Sequence, residues 1–137
     1  GAAAEGAAQD LAAGVWQRVA EIRNILETAL ETGSKEIILV GRDTERLPNT
    51  SCLAVPGWKG ETQVMQMDLS GFAVSAGSAC SSGKVKASRV LRAMGFGEDL
   101  AACAIRLSLG PNTTEAEVLE FADVWLEKYN KFRARAA

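Results

Sequence analysis

Ala104-Ile105-Arg106-Leu107-Ser108-Leu109 alternates strictly between apolar and polar, and Gly110-Pro111 stops it. Successive side chains of a β-strand point to opposite faces, so Ile105, Leu107 and Leu109 share one face and Arg106 and Ser108 the other. Such a half-buried strand needs a helix layer on its apolar side. The flanking sequence supplies one. Thr114 and Glu117 form a capping box for a helix with the stripe Val118, Ala122, Trp125 and Tyr129, ending in the basic run Lys128 to Arg135. Upstream, Ser88 is placed to cap a helix carrying Val90, Leu91 and Met94, which Gly95 ends. Glu98 to Ala102 offers one more turn.

Nearer the start, Leu11, Val15, Val19, Ile22, Leu26 and Leu30 recur at spacings of four and three. They predict one helix from about Ala7 to Glu31, weakened at Gly14 and closed by a left-handed Gly33. Glu36 to Val40 and Thr50 to Val55 read as strands, the second stopped by Pro56-Gly57. Gly60 to Leu69 suits a short helix, Gly71 to Ser75 a short strand, and Ala76 to Gly83 a loop. The expected class is α+β, a small and largely antiparallel sheet packed against helices, with the first and last helices on one sheet face.

Composition narrows the chemistry. The 137 residues carry 15 Lys plus Arg, 17 Asp plus Glu and no histidine, for a formal net charge of −2. There is no basic excess to hold a nucleic-acid backbone or an anionic membrane. Without histidine the chain cannot build a Ser-His-Asp or Cys-His pairing. Three cysteines without a CxxC pair are neither a disulfide framework nor a zinc motif, and fit a reducing compartment. No apolar run reaches membrane-spanning length, and Gly1-Ala2-Ala3-Ala4 lacks the features of a secretory signal. With no initiator Met, the chain is expected to be a processed product or a fragment.

The loop around Cys80 is the most informative segment. Glycine, serine and alanine on both sides bury little, and Lys84, Lys86 and Arg89 follow. Nearby cations favour the nucleophilic thiolate. A free cysteine in a Ser/Gly-rich linker fits the same composition, so both readings stand on residues alone. The run from Gly77 to Lys84 is not a phosphate-binding P-loop, having five residues between its glycines and Val85 after the lysine. Arg106 is either a routine surface charge or, if its face lines a cleft, a planar fork for a carboxylate. Cys52 and Cys103 lie in apolar context and read as small buried hydrophobes. Trp58, in Pro56-Gly-Trp-Lys59, reads as a turn residue able to touch a partner.

Taken in order, several motifs combine. They are Arg46-Leu-Pro-Asn-Thr50, Gly60-Glu61, Ala73-Val-Ser-Ala-Gly-Ser-Ala-Cys-Ser-Ser-Gly83, Ser88-Arg-Val-Leu-Arg-Ala-Met-Gly95, Ile105-Arg-Leu-Ser-Leu-Gly110 and Thr113-Thr114-Glu115. The series resembles the C-terminal part of the NifS/IscS-like cysteine desulfurases, in the class V branch of pyridoxal-phosphate enzymes, from the first helix to about Tyr129. The resemblance implies the C-terminal small domain of a fold-type I enzyme. In it Cys80 matches the cysteine that takes sulfur from L-cysteine as a persulfide, releasing L-alanine, and hands it to an acceptor or iron–sulfur scaffold. Arg106 matches the arginine that holds the substrate carboxylate. The long loop resembles the group whose cysteine swings between cofactor and acceptor. A homodimeric, cytoplasmic full-length enzyme is implied as well.

The departures are equally informative. The family's cofactor lysine sits in a Ser-x-His-Lys motif and its ring-stacking residue is a histidine; this sequence has neither. The Arg-x-Gly-Thr segment that contacts the partner subunit's phosphate is also missing. None of Lys35, Lys59, Lys84, Lys86, Lys128 and Lys131 lies in a cofactor motif. Residues 1–137 are therefore expected to be the small domain with its leading linker helix, the large domain that binds pyridoxal phosphate being absent. A stand-alone persulfide or thiol carrier and an inactive fragment are the competing readings.

Overall fold

The computed structural model describes residues 1–77 and 88–137. Six helices are present among them: α1 (Ala2–Ala12), α2 (Val15–Gly33), α3 (Gly60–Asp68), α4 (Arg89–Ala93), α5 (Glu98–Ala101) and α6 (Glu115–Ala136). The strands are β1 (Ile38–Leu39), β2 (Thr50–Ala54), β3 (Ser75–Ala76) and β4 (Ala104–Ser108). They form one sheet in the order β1-β2-β4-β3, every neighbour antiparallel. The α+β class, the strand sequence and the alternation of β4 are as the sequence predicts. The N-cap of α4 at Ser88 and the full capping box at Thr114 and Glu117 are also as predicted.

Three local expectations are overturned. Gly14 divides the long first helix into α1 and α2, because its φ of 73° is left-handed and cannot lie inside a right-handed helix. Gly33 remains helical, and extended Ser34 caps α2 instead. The missing side chain of Gly33 serves packing: a Cβ there would stand 2.5 Å from Leu126 Cδ1 of α6. Of the loop expected from Ala76 to Gly83, Ala76 belongs to β3 and pairs with Ile105. Cys80, Lys84 and Lys86 lie outside the described residues.

Helices cover both faces of the sheet. Leu53, Ile105, Leu107 and Leu109 pack with Val19, Leu26 and Leu30 of α2 and with Val118, Ala122 and Trp125 of α6. On the opposite face Ala54 and Ala104 pack with Leu91 of α4 and Ala101 of α5. Trp58, read from its turn sequence as partner-facing, is 2% exposed and stacks on Phe132 with ring centroids 5.4 Å apart. Burying an indole against aromatic rings outweighs leaving it on a turn surface. The helix α3 is seated tightly, since a Cβ on Gly60 would meet the Ala104 carbonyl oxygen at 2.5 Å.

A second buried group ties α2 to the polar connection before β2. Glu27 accepts from Arg46 Nη1 at 2.7 Å, Arg46 Nη2 at 3.0 Å and Ser51 Oγ at 2.7 Å. Burial works to raise the Glu27 pKa, but the hydrogen bonds from Arg46 and Ser51 and the charges of Arg46 and Arg23 outweigh it, so the net shift is downward. The unfolded chain therefore binds a proton more readily than the folded one. The stabilisation is complete above the ordinary value of 4.5 and is lost as pH falls through the lowered folded pKa. Glu27→Gln should cost about 3 kcal/mol at neutral pH by leaving Arg46 without its counter-charge. It should also flatten the acid limb of a urea-midpoint-against-pH curve; an unchanged acid limb would refute the role given to Glu27.

Candidate functional site around Arg106

The polar face of β4 is where chemistry can occur. Antiparallel register sets Arg106 directly opposite Cys52 of β2 on one side and Ser75 of β3 on the other. Opposed residues of an antiparallel pair share a face, so Cys52, Arg106 and Ser75 form one row across the sheet. A groove of ≈ 280 Å³ runs over this row. Its apolar wall is Val40, Leu91 and Met94, and Ser88 at the N-cap of α4 adds a hydroxyl. Both sequence readings of Arg106 meet here: its side chain is exposed, and it lines a cleft. Gly77 and Ser88, the described residues on either side of the Cys80 segment, both line the same groove.

Cys52 was not legible as part of this site. Its apolar neighbours Leu53 and Ala54 mark it as a core residue, and it is indeed partly buried. Burial pushes its thiol pKa up, while the Arg106 charge pulls it down; the net shift is upward. Only the β2–β4 register, a long-range fact, places it beside the arginine. Cys103 is buried as expected, and its thiol lies 3.2 Å from the Asp99 carbonyl oxygen. Among the described residues no group of three or more His, Cys, Asp or Glu side chains is arranged to hold a metal. None of their helices is long and apolar enough to cross a membrane.

A guanidinium in a largely apolar groove has the shape and charge to suit a small carboxylate. The family model for class-V aminotransferases matches residues 1–121. The chain belongs to the class-V aminotransferase family. A cysteine desulfurase of Cereibacter sphaeroides is 38% identical over 113 residues, which is 82% of this chain and 29% of the relative. The cysteine desulfurase IscS of an Anaeromyxobacter species is 38% identical over 117 residues, 85% of this chain and 28% of the relative. Among solved structures, a NifS-like protein from Rickettsia africae superposes with a TM-score of 0.73 at 27% identity, covering 84% of this chain and 29% of that one. A further NifS-like protein gives 0.76 at 26% identity over 92% of this chain and 30% of its own. This class-V aminotransferase chain thus spans less than a third of the length of these relatives.

The described residues of the groove do not fit the pyridoxal phosphate that the sequence resemblance implies. Among the described residues Arg106 is the only cation lining the groove, and none of the described lysines is there to form an imine with an aldehyde. Of the lysines, Lys35, Lys59, Lys128 and Lys131 are described and none reaches the groove. What the described residues of this class-V aminotransferase segment place together is a guanidinium and a thiol whose pKa is shifted upward. Iodoacetamide should therefore alkylate Cys52 slowly at neutral pH, with a rate profile that inflects above the ordinary value of 9.0. Arg106→Gln should move that inflection higher still. An inflection below the ordinary value, or one indifferent to Arg106, would contradict this electrostatic picture.

Proposed function

We propose that residues 1–137 are the C-terminal small-domain portion of a cysteine desulfurase, in which Cys80 receives sulfur and Arg106 holds the substrate carboxylate. One observation carries the reading: Arg106 lies in a groove that is lined by the residues flanking the Cys80 segment, Gly77 and Ser88. Three residues of chain limit the Gly77–Cys80 separation to about 11 Å, whatever path they take. That short tether supports a reaction that uses the Cys80 thiol and Arg106 together. The relatives named cysteine desulfurase support the same chemistry.

In the proposed reaction a sulfur atom passes from L-cysteine to the Cys80 thiolate. An S–S bond forms, the substrate C–S bond breaks, and the carbon takes up a proton to leave as L-alanine. Arg106 contributes a fork that can make two parallel hydrogen bonds to the α-carboxylate, fixing the direction in which the substrate sulfur points. Pyridoxal phosphate is assigned to the large domain outside this chain. The full-length enzyme is proposed to be a cytoplasmic homodimer that delivers its persulfide to a sulfur-accepting or iron–sulfur scaffold protein. Alkylation with mass mapping on the full-length enzyme, before and after turnover on cysteine, tests the assignment. The extra sulfur should appear on Cys80 alone and vanish in Cys80→Ser. Sulfur on Cys52 or Cys103, or a persulfide surviving in Cys80→Ser, would overturn it.

A further inference from the structure

Beside α2, three arginines from two separate segments surround a cavity of ≈ 340 Å³. Arg23 comes from α2, and Arg42 and Arg46 from the polar connection between β1 and β2. Their roles differ. Arg46 is spent on Glu27, whose oxygens also take the Ser51 hydroxyl, so that pair is internally neutral. Arg42 pairs with Glu31 at the rim, where both side chains are partly exposed. Among the described residues Arg23 has no ion-pair partner of its own. Arg23 as a whole residue is 9% exposed, and its acceptors are the neutral Leu47 carbonyl at 2.6 Å and Asn24 Oδ1 at 3.1 Å.

Three cations against two carboxylates leave this cluster with one surplus positive charge. The same surplus shows in Arg23 itself, whose pKa is lowered first by burial and then by the neighbouring charge of Arg46, with Glu27 opposing. A largely buried cation with no hydrogen-bonded carboxylate of its own is costly, and a matching anion would offset that cost. Guanidinium donors remain on Arg23, which makes three of its five possible hydrogen bonds, and the Asn24 amide and Thr44 hydroxyl also line the space.

We propose that this cavity binds a tetrahedral oxyanion of the phosphate class. The donors converge from two sides, from α2 and from the connection, and a tetrahedral group with several acceptor oxygens can engage both. The site is separate from the Arg106 groove, with which it shares no lining residue. It holds whether or not the sulfur-transfer reading does.

Inorganic phosphate titrated into the 137-residue chain is the probe, with chloride and acetate at matched ionic strength as the comparison arms. The arginine Nε–Hε resonances report the site by NMR. Phosphate should shift the Arg23 and Arg42 signals saturably, and acetate and chloride should shift them far less. Arg42→Gln, at the exposed rim, should weaken phosphate binding by roughly tenfold, the loss of one charge-assisted hydrogen bond, with the α-helical circular dichroism unchanged. Arg23→Gln should abolish it; if that variant does not fold, Arg42→Gln decides alone. Equal responses to phosphate, acetate and chloride, or phosphate binding indifferent to Arg42→Gln, would overturn the proposal.

Discussion

The side-chain amide of Gln63 is the constraint on which the rest of this fold depends. Fully buried on α3, it donates to the carbonyl oxygens of Trp58 and Cys103, each at 3.0 Å, and accepts from Trp125 Nε1 at 3.2 Å. One planar group thereby fixes the exit of β2, the entry of β4 and the middle of α6 relative to one another. Its donors and acceptor are all used, which is the condition under which a buried amide stabilises a unique arrangement instead of costing one. An apolar residue there would leave two carbonyls and an indole N–H without partners. The adjacent close approach of Gly60 to the Ala104 carbonyl follows from the same docking of α3.

From that junction the functional face follows. With the entry of β4 fixed, Ile105, Leu107 and Leu109 must turn toward α2 and α6, and Arg106 must turn the other way. The short helices α4 and α5 cover only part of the opposite face, around Ala54, Ala104 and Leu91. Beside them, among the described residues, Arg106 lines a groove instead of pairing inside the core. The groove is thus placed at the edge of a closely packed core. The carboxylate cluster at Glu27 anchors the connection ahead of β2 and so secures the strand that carries Cys52.

Much of this was legible in the sequence because it is local. The alternation of β4, the capping box of α6 and the stripe of α2 depend on residues within a few positions of one another. What was misread depends on distant partners. Trp58 looked exposed because its neighbours are turn residues, yet Trp125, Tyr129 and Phe132, more than sixty positions away, enclose it. Arg23 and Glu27, four apart on a helix, resemble an ordinary surface pair; they are buried because the Arg46 segment folds across them. Cys52 joined Arg106 only through strand register, which no spacing within either strand encodes. Gly14 was misjudged for a different reason: a glycine tolerated within a helix and one that breaks it in the left-handed region look alike in sequence. The candidate site residues came from a resemblance to a family. The structure places Arg106 in a groove, while Cys80 lies outside the described residues.

The account rests most heavily on Arg106 as a carboxylate anchor and not a surface charge. Steady-state kinetics on cysteine for Arg106→Lys in the full-length enzyme test it directly. Lysine keeps the charge but not the two-pronged geometry. The account predicts a Michaelis constant raised by about tenfold or more, the equivalent of one charge-assisted hydrogen bond, with stability unchanged. A Michaelis constant equal to that of the parent enzyme would contradict it.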